Sequence, residues 1–369
     1  FILGRRRTHS GAMGRLMQAC SVITVIIAVV IPAAIQLTCQ ATLTAWSMQP
    51  GIVVDKTAIV TGANSGLGLQ TVRVLAAEGA TVVLACRSAA NCKAAMDDVR
   101  STQPSAKLEA LVLDLADAAS VRAFAAAFLQ SHTKLDLLIN NAAIMATPFD
   151  TANWPGGTVE RQFATNHLGP FLLTGLLQKV LESTPGARVI NHSSSASDMT
   201  KRVSNVHEVA DITKDAYNAW DSYASTKRAN RYFTWSLNQR LSKDKGLFAV
   251  ACHPGWTGTN LQHRSLGLSW LTFGMEAAYE KLTIVLNNAY SQPVSLGAQP
   301  QLYAATEKNL KGGEVVGPRF LMFGTPVVET SDVCQLSPSG GDRCAQGDLD
   351  ALWTMSERLA GFSYNTHPA

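Results

Sequence analysis

No acidic residue occurs in the first fifty positions, which hold Arg5, Arg6, Arg7 and Arg15. Without those four, the chain's 31 basic residues become 27, matched by 27 acidic ones. The rest of the chain has no basic excess, which excludes a nucleic-acid footprint. There is no CxxC pair and no Cys/His group at zinc spacing, so no metal site is expected. The 7 cysteines are odd in number and do not read as a disulfide scaffold. Cys86 and Cys252 fall in apparent strands as core residues. Cys334 and Cys344 lie in a Ser/Pro/Gly/Asp-rich stretch; they would pair in an oxidising lumen and stay free thiols in the cytosol. No repeat of solenoid period is visible. The 369 residues therefore make one large domain or two small ones, and 47% hydrophobic residues suffice for a large core.

One long apolar run is present. Residues 21–37, Ser21 to Leu37, are almost wholly apolar and follow the arginines. Residues 1–50 thus read as a targeting or membrane-anchor segment: a signal-anchor helix, a cleaved signal, or part of an organelle transit peptide. A buried helix of the folded domain is the remaining reading. Met13 and Met17 are candidate starts. The arginine asymmetry would keep the N-terminus cytoplasmic and put the folded domain across the membrane. The expected location is membrane-associated, in the endoplasmic reticulum or another organelle, with plastid and mitochondrion included.

From Lys56 the pattern alternates short apolar runs with helical segments. Strands are expected at 56–60, 81–86, 108–113, 135–139, 188–192 and 247–251, and helices at 69–79, 90–101, 118–132, 157–183 and about 222–241. Near-continuous apolar strands separated by helices imply an α/β fold with a doubly wound parallel sheet buried on both faces. Residues 198–219 read as a surface insertion. Residues 263–293 carry Trp270, Leu271, Phe273, Met275 and Tyr279, and read either as a packed helix or as a lid over an apolar pocket.

The first strand runs into Gly62, Asn64, Ser65, Gly66, Leu67 and Gly68, with G-x-x-x-G-x-G spacing, and then into a helix. Such a turn brings backbone N–H groups and a helix N-terminus to a pyrophosphate. No acid stands at the end of the second strand, where one would bind a ribose 2′-hydroxyl and repel a 2′-phosphate; Arg87 is there instead, suited to pair with the phosphate. NADP(H) is therefore expected as cofactor. Asn140-Asn141-Ala142-Ala143, after the fourth strand, would pack on the adenosine side. Tyr223 and Lys227 stand four apart on one helix face, where an ammonium lowers the phenol's pKa and suits it to exchange a proton with a carbonyl or alcohol oxygen. Ser193, Ser194 and Ser195 close the fifth strand, each able to hold a substrate oxygen. Asn166 sits in the long helix just before Gly169-Pro170, where a kink would free a backbone group or a water site for a proton relay. His167 and His192 read as packed rather than catalytic.

Together these motifs resemble the short-chain dehydrogenase/reductase family over about residues 56–316, with a Rossmann-type fold. By that resemblance Asn166, Ser194, Tyr223 and Lys227 form the catalytic tetrad. Asp114, Leu115, Asn141, Ala142, Tyr223 and Lys227 also face the cofactor, and Pro254, Gly255, Thr257 and Thr259 lie along the nicotinamide. Ala-Cys-Arg-Ser, Asn-His-Leu-Gly-Pro-Phe-Leu-Leu-Thr and His-Pro-Gly-Trp look like the group with retinol dehydrogenases, the WW-domain oxidoreductase and protochlorophyllide reductase. The resemblance implies one domain over 51–369, with a loop at 331–347 and a C-terminal helix at 349–361. It implies hydride transfer between NADP(H) and a small apolar aldehyde, ketone or alcohol, and a homo-oligomer. The rival readings are a non-catalytic NADP-binding subunit of a membrane complex and a plastid chlorin reductase.

Overall fold

The computed structural model describes residues 30, 33, 34, 37, 46–198, 210, 212–241, 244, 246–258, 291–332, 334 and 344–365. The expectations for 21–37, 198–219 and 263–293 fall largely outside these residues, and Thr259 wholly so. Among the described residues no helix is long and apolar enough to cross a membrane.

In chain order the elements are β1 (Thr57–Thr61), α1 (Gly66–Ala77), β2 (Thr81–Cys86), α2 (Ala89–Thr102), β3 (Leu108–Val112), α3 (Ala118–Ser131), β4 (Leu137–Asn140), β5 (Thr151–Trp154) and β6 (Gly157–Glu160). There follow α4 (Arg161–Phe163), a π-helical turn at Ala164–Leu168, α5 (Gly169–Leu176), α6 (Gln178–Ser183), β7 (Arg188–His192), α7 (Ala219–Arg240) and β8 (Phe248–Cys252). The described chain closes with α8 (Val294–Gly297), α9 (Gln299–Thr306), β9 (Val315–Pro318), β10 (Pro326–Thr330) and α10 (Gln346–Ala360). Eight strands form one sheet in the order β10-β9-β8-β7-β4-β1-β2-β3. It is parallel except where β10 runs antiparallel to β9.

Side chains alternate across the sheet. Ile59 and Val83 join Phe124, Phe171, Phe233 and Trp353 on the face covered by α3, α5, α7 and α10. Ala58, Val60, Val82 and Leu84 join Val72, Leu75, Val99 and Leu302 under α1, α2 and α9. Side chains also mark the helix starts. Asp117 accepts the Ala119 N–H at 2.9 Å, and Asn218 accepts those of Trp220 and Asp221 at 3.1 and 3.0 Å.

The structure corrects several expectations. Residues 157–160 are a strand, not the start of a long helix. The Pro155-Gly156 corner turns β5 back onto β6, with Trp154 opposite Gly157 and Thr151 opposite Glu160. The helix begins only at Arg161, where the Glu160 carboxylate caps the amides of Gln162 and Phe163 at 2.9 and 2.8 Å. The C-terminal helix starts at Gln346, inside the expected 331–347 loop. Cys86 is buried as expected, but it is bonded to Cys92; Cys334 is bonded to Cys344.

Candidate active site

The chain leaves β1 to build β2 and β3 on one side, then returns to place β4 on the other side of β1. Ligands of open parallel sheets bind at the carboxyl ends of strands beside such a reversal. The glycine turn lies there. Gly62 and Gly66 have φ of 66° and 54°, a region that glycine enters without steric cost. Gly68 serves a different end. A Cβ there would drive into the Gly62 carbonyl oxygen and stand 2.7 Å from Asn141 Nδ2, so only glycine lets α1 press against the turn. Asn141 Nδ2 donates to the Thr61 carbonyl at 2.8 Å, and the Ala142 N–H donates to Thr61 Oγ1 at 2.9 Å. Ser65 occupies the N-cap of α1, but its hydroxyl caps nothing and the first turn holds no acid. The first-turn amides and the positive helix end therefore face outward, ready for an anion.

Arg87 is exposed at the end of β2, and among the described residues its guanidinium has no partner. Asp114 turns inward on itself: its carboxylate accepts the Ala116 N–H at 2.9 Å, and its own N–H donates to Ser120 Oγ at 2.9 Å. The glycine cradle and the uncapped helix together fit the pyrophosphate of a dinucleotide, and Arg87 stands exposed beside them.

On the other side of β4 the sheet carries the reactive groups. Ser193 is turned into α7, its hydroxyl donating to the Lys227 carbonyl at 2.8 Å. Ser195 begins a 3-10 turn that runs to Asp198. Ser194, between them, accepts the Ala196 N–H on its hydroxyl at 3.2 Å and is the serine of the three whose hydroxyl acts on the Tyr223 phenol. Arg228 Nε holds the Ser197 carbonyl at 2.7 Å and Arg231 pairs with Asp198 at 2.7 Å, which clamps this turn onto α7. Lys227 Nζ donates to the His192 carbonyl at 3.1 Å and stands 5.7 Å from the Tyr223 ring centre.

Burial sets the charges here. It pushes the Tyr223 phenol up to about 12, with the nearby Ser194 hydroxyl pulling the other way. It pushes Lys227 down to about 8. The expected lowering of the phenol by Lys227 is thus not what this arrangement produces, because desolvation of the phenolate outweighs it.

Asn166 lies in the π-helical turn. Its side chain is fully engaged: Oδ1 accepts the Ile144 N–H at 2.8 Å, and Nδ2 donates to the Ile144 carbonyl at 2.9 Å and to Thr226 Oγ1 at 3.0 Å. It ties the segment after β4 to the helix of Tyr223 and Lys227. The kink anticipated from Gly169-Pro170 takes the form of this wider turn. His167 packs between Phe163 and Phe171 and reaches Ser356 of α10 at 2.9 Å.

After β8, Thr257 Oγ1 donates to the Pro254 carbonyl at 2.9 Å. Gln292 is fully buried against this turn: its N–H donates to the Trp256 carbonyl at 2.8 Å and its side-chain amide donates to the Pro254 carbonyl. Sequence reading missed Gln292, which is separated from the turn by more than thirty residues without a motif. An apolar wall also formed unannounced: Met145 and Ala146 pack with Tyr223, Ala196 and Ala219. Trp220 stands edge-on to Tyr223 at 6.2 Å and is 46% exposed.

Comparison with known proteins agrees with this geometry. The family model for short chain dehydrogenases matches residues 56–266. The chain is 34% identical to human retinol dehydrogenase 13 over 313 residues, 84% of this chain and 86% of that one. It is 32% identical to the human WW domain-containing oxidoreductase over 308 residues, 82% of this chain and 68% of the other. A crystal structure of an uncharacterised protein from Mycobacterium Paratuberculosis superposes with a TM-score of 0.62 at 31% identity, covering 86% of this chain and 99% of that one.

Proposed function

The chain belongs to the short chain dehydrogenase family, and from that premise we propose that it is an NADP(H)-dependent reductase of small apolar aldehydes and ketones, working in reverse on the alcohols. The observation that carries this reading is the placement of Lys227 Nζ, 5.7 Å from the Tyr223 ring centre and bonded to the His192 carbonyl at the end of β7, with Ser194 two residues on, at the same carboxyl ends of the sheet as the glycine turn.

The first-turn amides of α1, opened by Gly62, Gly66 and Gly68 and flanked by Asn64, Ser65 and Leu67, would hold the pyrophosphate. Arg87 would hold the 2′-phosphate. Asp114 and Leu115 with Asn141 and Ala142 would flank the adenosine, Tyr223 and Lys227 the ribose, and Pro254 to Thr257 the nicotinamide. When bound, the nicotinamide supplies or receives the hydride.

The protein's own part is the oxygen and its proton. Ser194 Oγ holds the carbonyl oxygen beside the Tyr223 hydroxyl, which donates the proton. A phenol that keeps its proton to about 12 is protonated throughout the neutral range, the form in which it can donate to a carbonyl oxygen. Residue 170 is proline, without an N–H, so the Asn166 carbonyl lacks its usual helical donor and can accept a water that replenishes the proton. Met145, Ala146, Ala219 and Trp220 offer the substrate an apolar wall.

The test is NADPH consumption by the full chain with a panel of apolar aldehydes that includes retinal. Tyr223→Phe is expected to lower turnover about a thousandfold while leaving NADPH affinity within twofold. Turnover retained by the variant would refute the role.

A further inference from the structure

We propose that His253 and Glu329 are a positioning pair that holds the Pro254–Thr257 turn in its working shape, with the His253 ring fixed as the Nε2–H tautomer. This rests on the reading above that the turn lies along the nicotinamide.

His253 follows β8, anchored by its own N–H to the Val316 carbonyl at 2.9 Å, and its side chain is buried. Nε2 lies 2.8 Å from Glu329 Oε2, and Nδ1 lies 3.2 Å from the backbone nitrogen of Gly255. A backbone N–H can only donate, so Nδ1 must present a lone pair. The ring proton then sits on Nε2 and is donated to the carboxylate. Both partners select the same tautomer.

Three features far apart in sequence open the space for this contact. β9 separates β8 from β10, yet it carries Gly317, where a Cβ would drive into both Glu329 Oε1 and His253 Nε2. The β9–β10 register shifts between Val328 and Thr330, so Glu329 is the extra residue of a bulge, which re-aims its side chain. Gly255 sits hard against the Met322 carbonyl, and the Trp256 N–H donates to that same oxygen at 2.8 Å. A glycine inside a strand and a bulge each weaken a ladder. Here both clear the path by which His253 crosses β9.

Glu329 also attracts Arg231 of α7, the residue that pairs with Asp198 beyond Ser194. One carboxylate thus stands between the turn that carries Ser194 and the turn that follows β8. His253 acts through Gly255 and touches no reacting atom.

The experiment uses the full chain and reads kcat, KM for NADPH, and NADPH affinity by fluorescence without substrate. Glu329→Gln removes the negative charge that holds the Nε2 proton and adds an amide donor, so this partner no longer fixes the ring's tautomer and position. It is expected to lower kcat and weaken NADPH roughly tenfold. His253→Ala should do the same. In His253→Asn the side-chain Oδ1 stands in for Nδ1 and accepts the Gly255 N–H without help. That variant should stay within about threefold of the parent, and adding Glu329→Gln to it should cost nothing further. An equal loss from Glu329→Gln in both backgrounds, or a His253→Asn variant as impaired as His253→Ala, would overturn the pair.

A measurement on the parent chain without cofactor is independent of turnover. Nitrogen-15 NMR of labelled histidines should show the Nε2–H form for the resonance absent from His253→Asn; an Nδ1–H form overturns the proposal. A parent chain that neither bound NADPH nor reduced any carbonyl would sink the functional reading alone, and the tautomer would still decide the pair.

Discussion

Tyr223 keeps its proton to about 12 and Lys227 loses its own near 8, although the two stand one helical turn apart on α7. Spacing alone suggests that the ammonium acidifies the phenol. Burial reverses that order, because removing water penalises the phenolate and the ammonium alike. Arg87 is the opposite case, an exposed cation with no partner among the described residues. A charge-assisted contact to a phosphate is worth about 1.5–3 kcal/mol. Arg87→Ala should therefore weaken NADPH roughly tenfold to a hundredfold and leave NADH unchanged, as competitive fluorescence titrations of the two would read. Equal weakening of both would remove Arg87 from cofactor selection.

At the scale of the element, the segment from Arg161 to Ser183 shows how a helix is shaped by one missing donor. Pro170 cannot supply an N–H and its ring crowds the carbonyl four residues back, and the chain answers with the wider turn of Ala164–Leu168. That turn carries Asn166 into contact with Ile144 and Thr226. Pro170→Ala should restore the donor, draw the Asn166 carbonyl back into the helix and lower kcat about tenfold. Denaturant titration should find stability within about 1 kcal/mol of the parent, since alanine is a good helix former. An unchanged kcat would show that the Asn166 carbonyl takes no part in the reaction.

At the scale of the whole molecule, α10 closes one face of the sheet over a cluster of Phe171, Phe233, Trp353 and Tyr364. Arg122 Nη2 binds its last carbonyls at Ala360 and Gly361, at 3.0 and 2.9 Å. His167 ties it to the Asn166 turn. Ser356 donates its proton to the Leu352 carbonyl at 2.7 Å and so accepts from His167 Nε2. Burial lowers His167 from 6.5 to about 4. The folded state therefore binds fewer protons than the unfolded chain between those values, and stability falls as pH drops from 6.5 towards 4. At pH 5 this group alone costs about 2 kcal/mol relative to neutral pH. Urea unfolding of parent and His167→Gln at pH 7 and pH 5 should show the variant losing about that much less. Equal acid losses would remove His167 as a source of acid lability.

By itself the sequence determined the alternation of elements, the glycine turn, the Tyr223/Lys227 spacing and the family. All of these rest on local signals: apolar runs of strand length, helical periodicity, and glycines at fixed offsets. The positions of the central strands follow from the same signals, and β2 was legible to the residue. What tertiary structure decided are matters of juxtaposition. Which of three adjacent serines meets Tyr223 depends on the path from β7 to α7. The β5–β6 hairpin depends on a corner that helical periodicity hides. The phenol's proton depends on burial, which no spacing encodes. Gln292, His253 and Glu329 converge behind the Pro254–Thr257 turn from separate elements. Their partners are tens of residues away, and only a closed sheet, with Gly317 and the bulge at Glu329 in register, brings their atoms within hydrogen-bond reach.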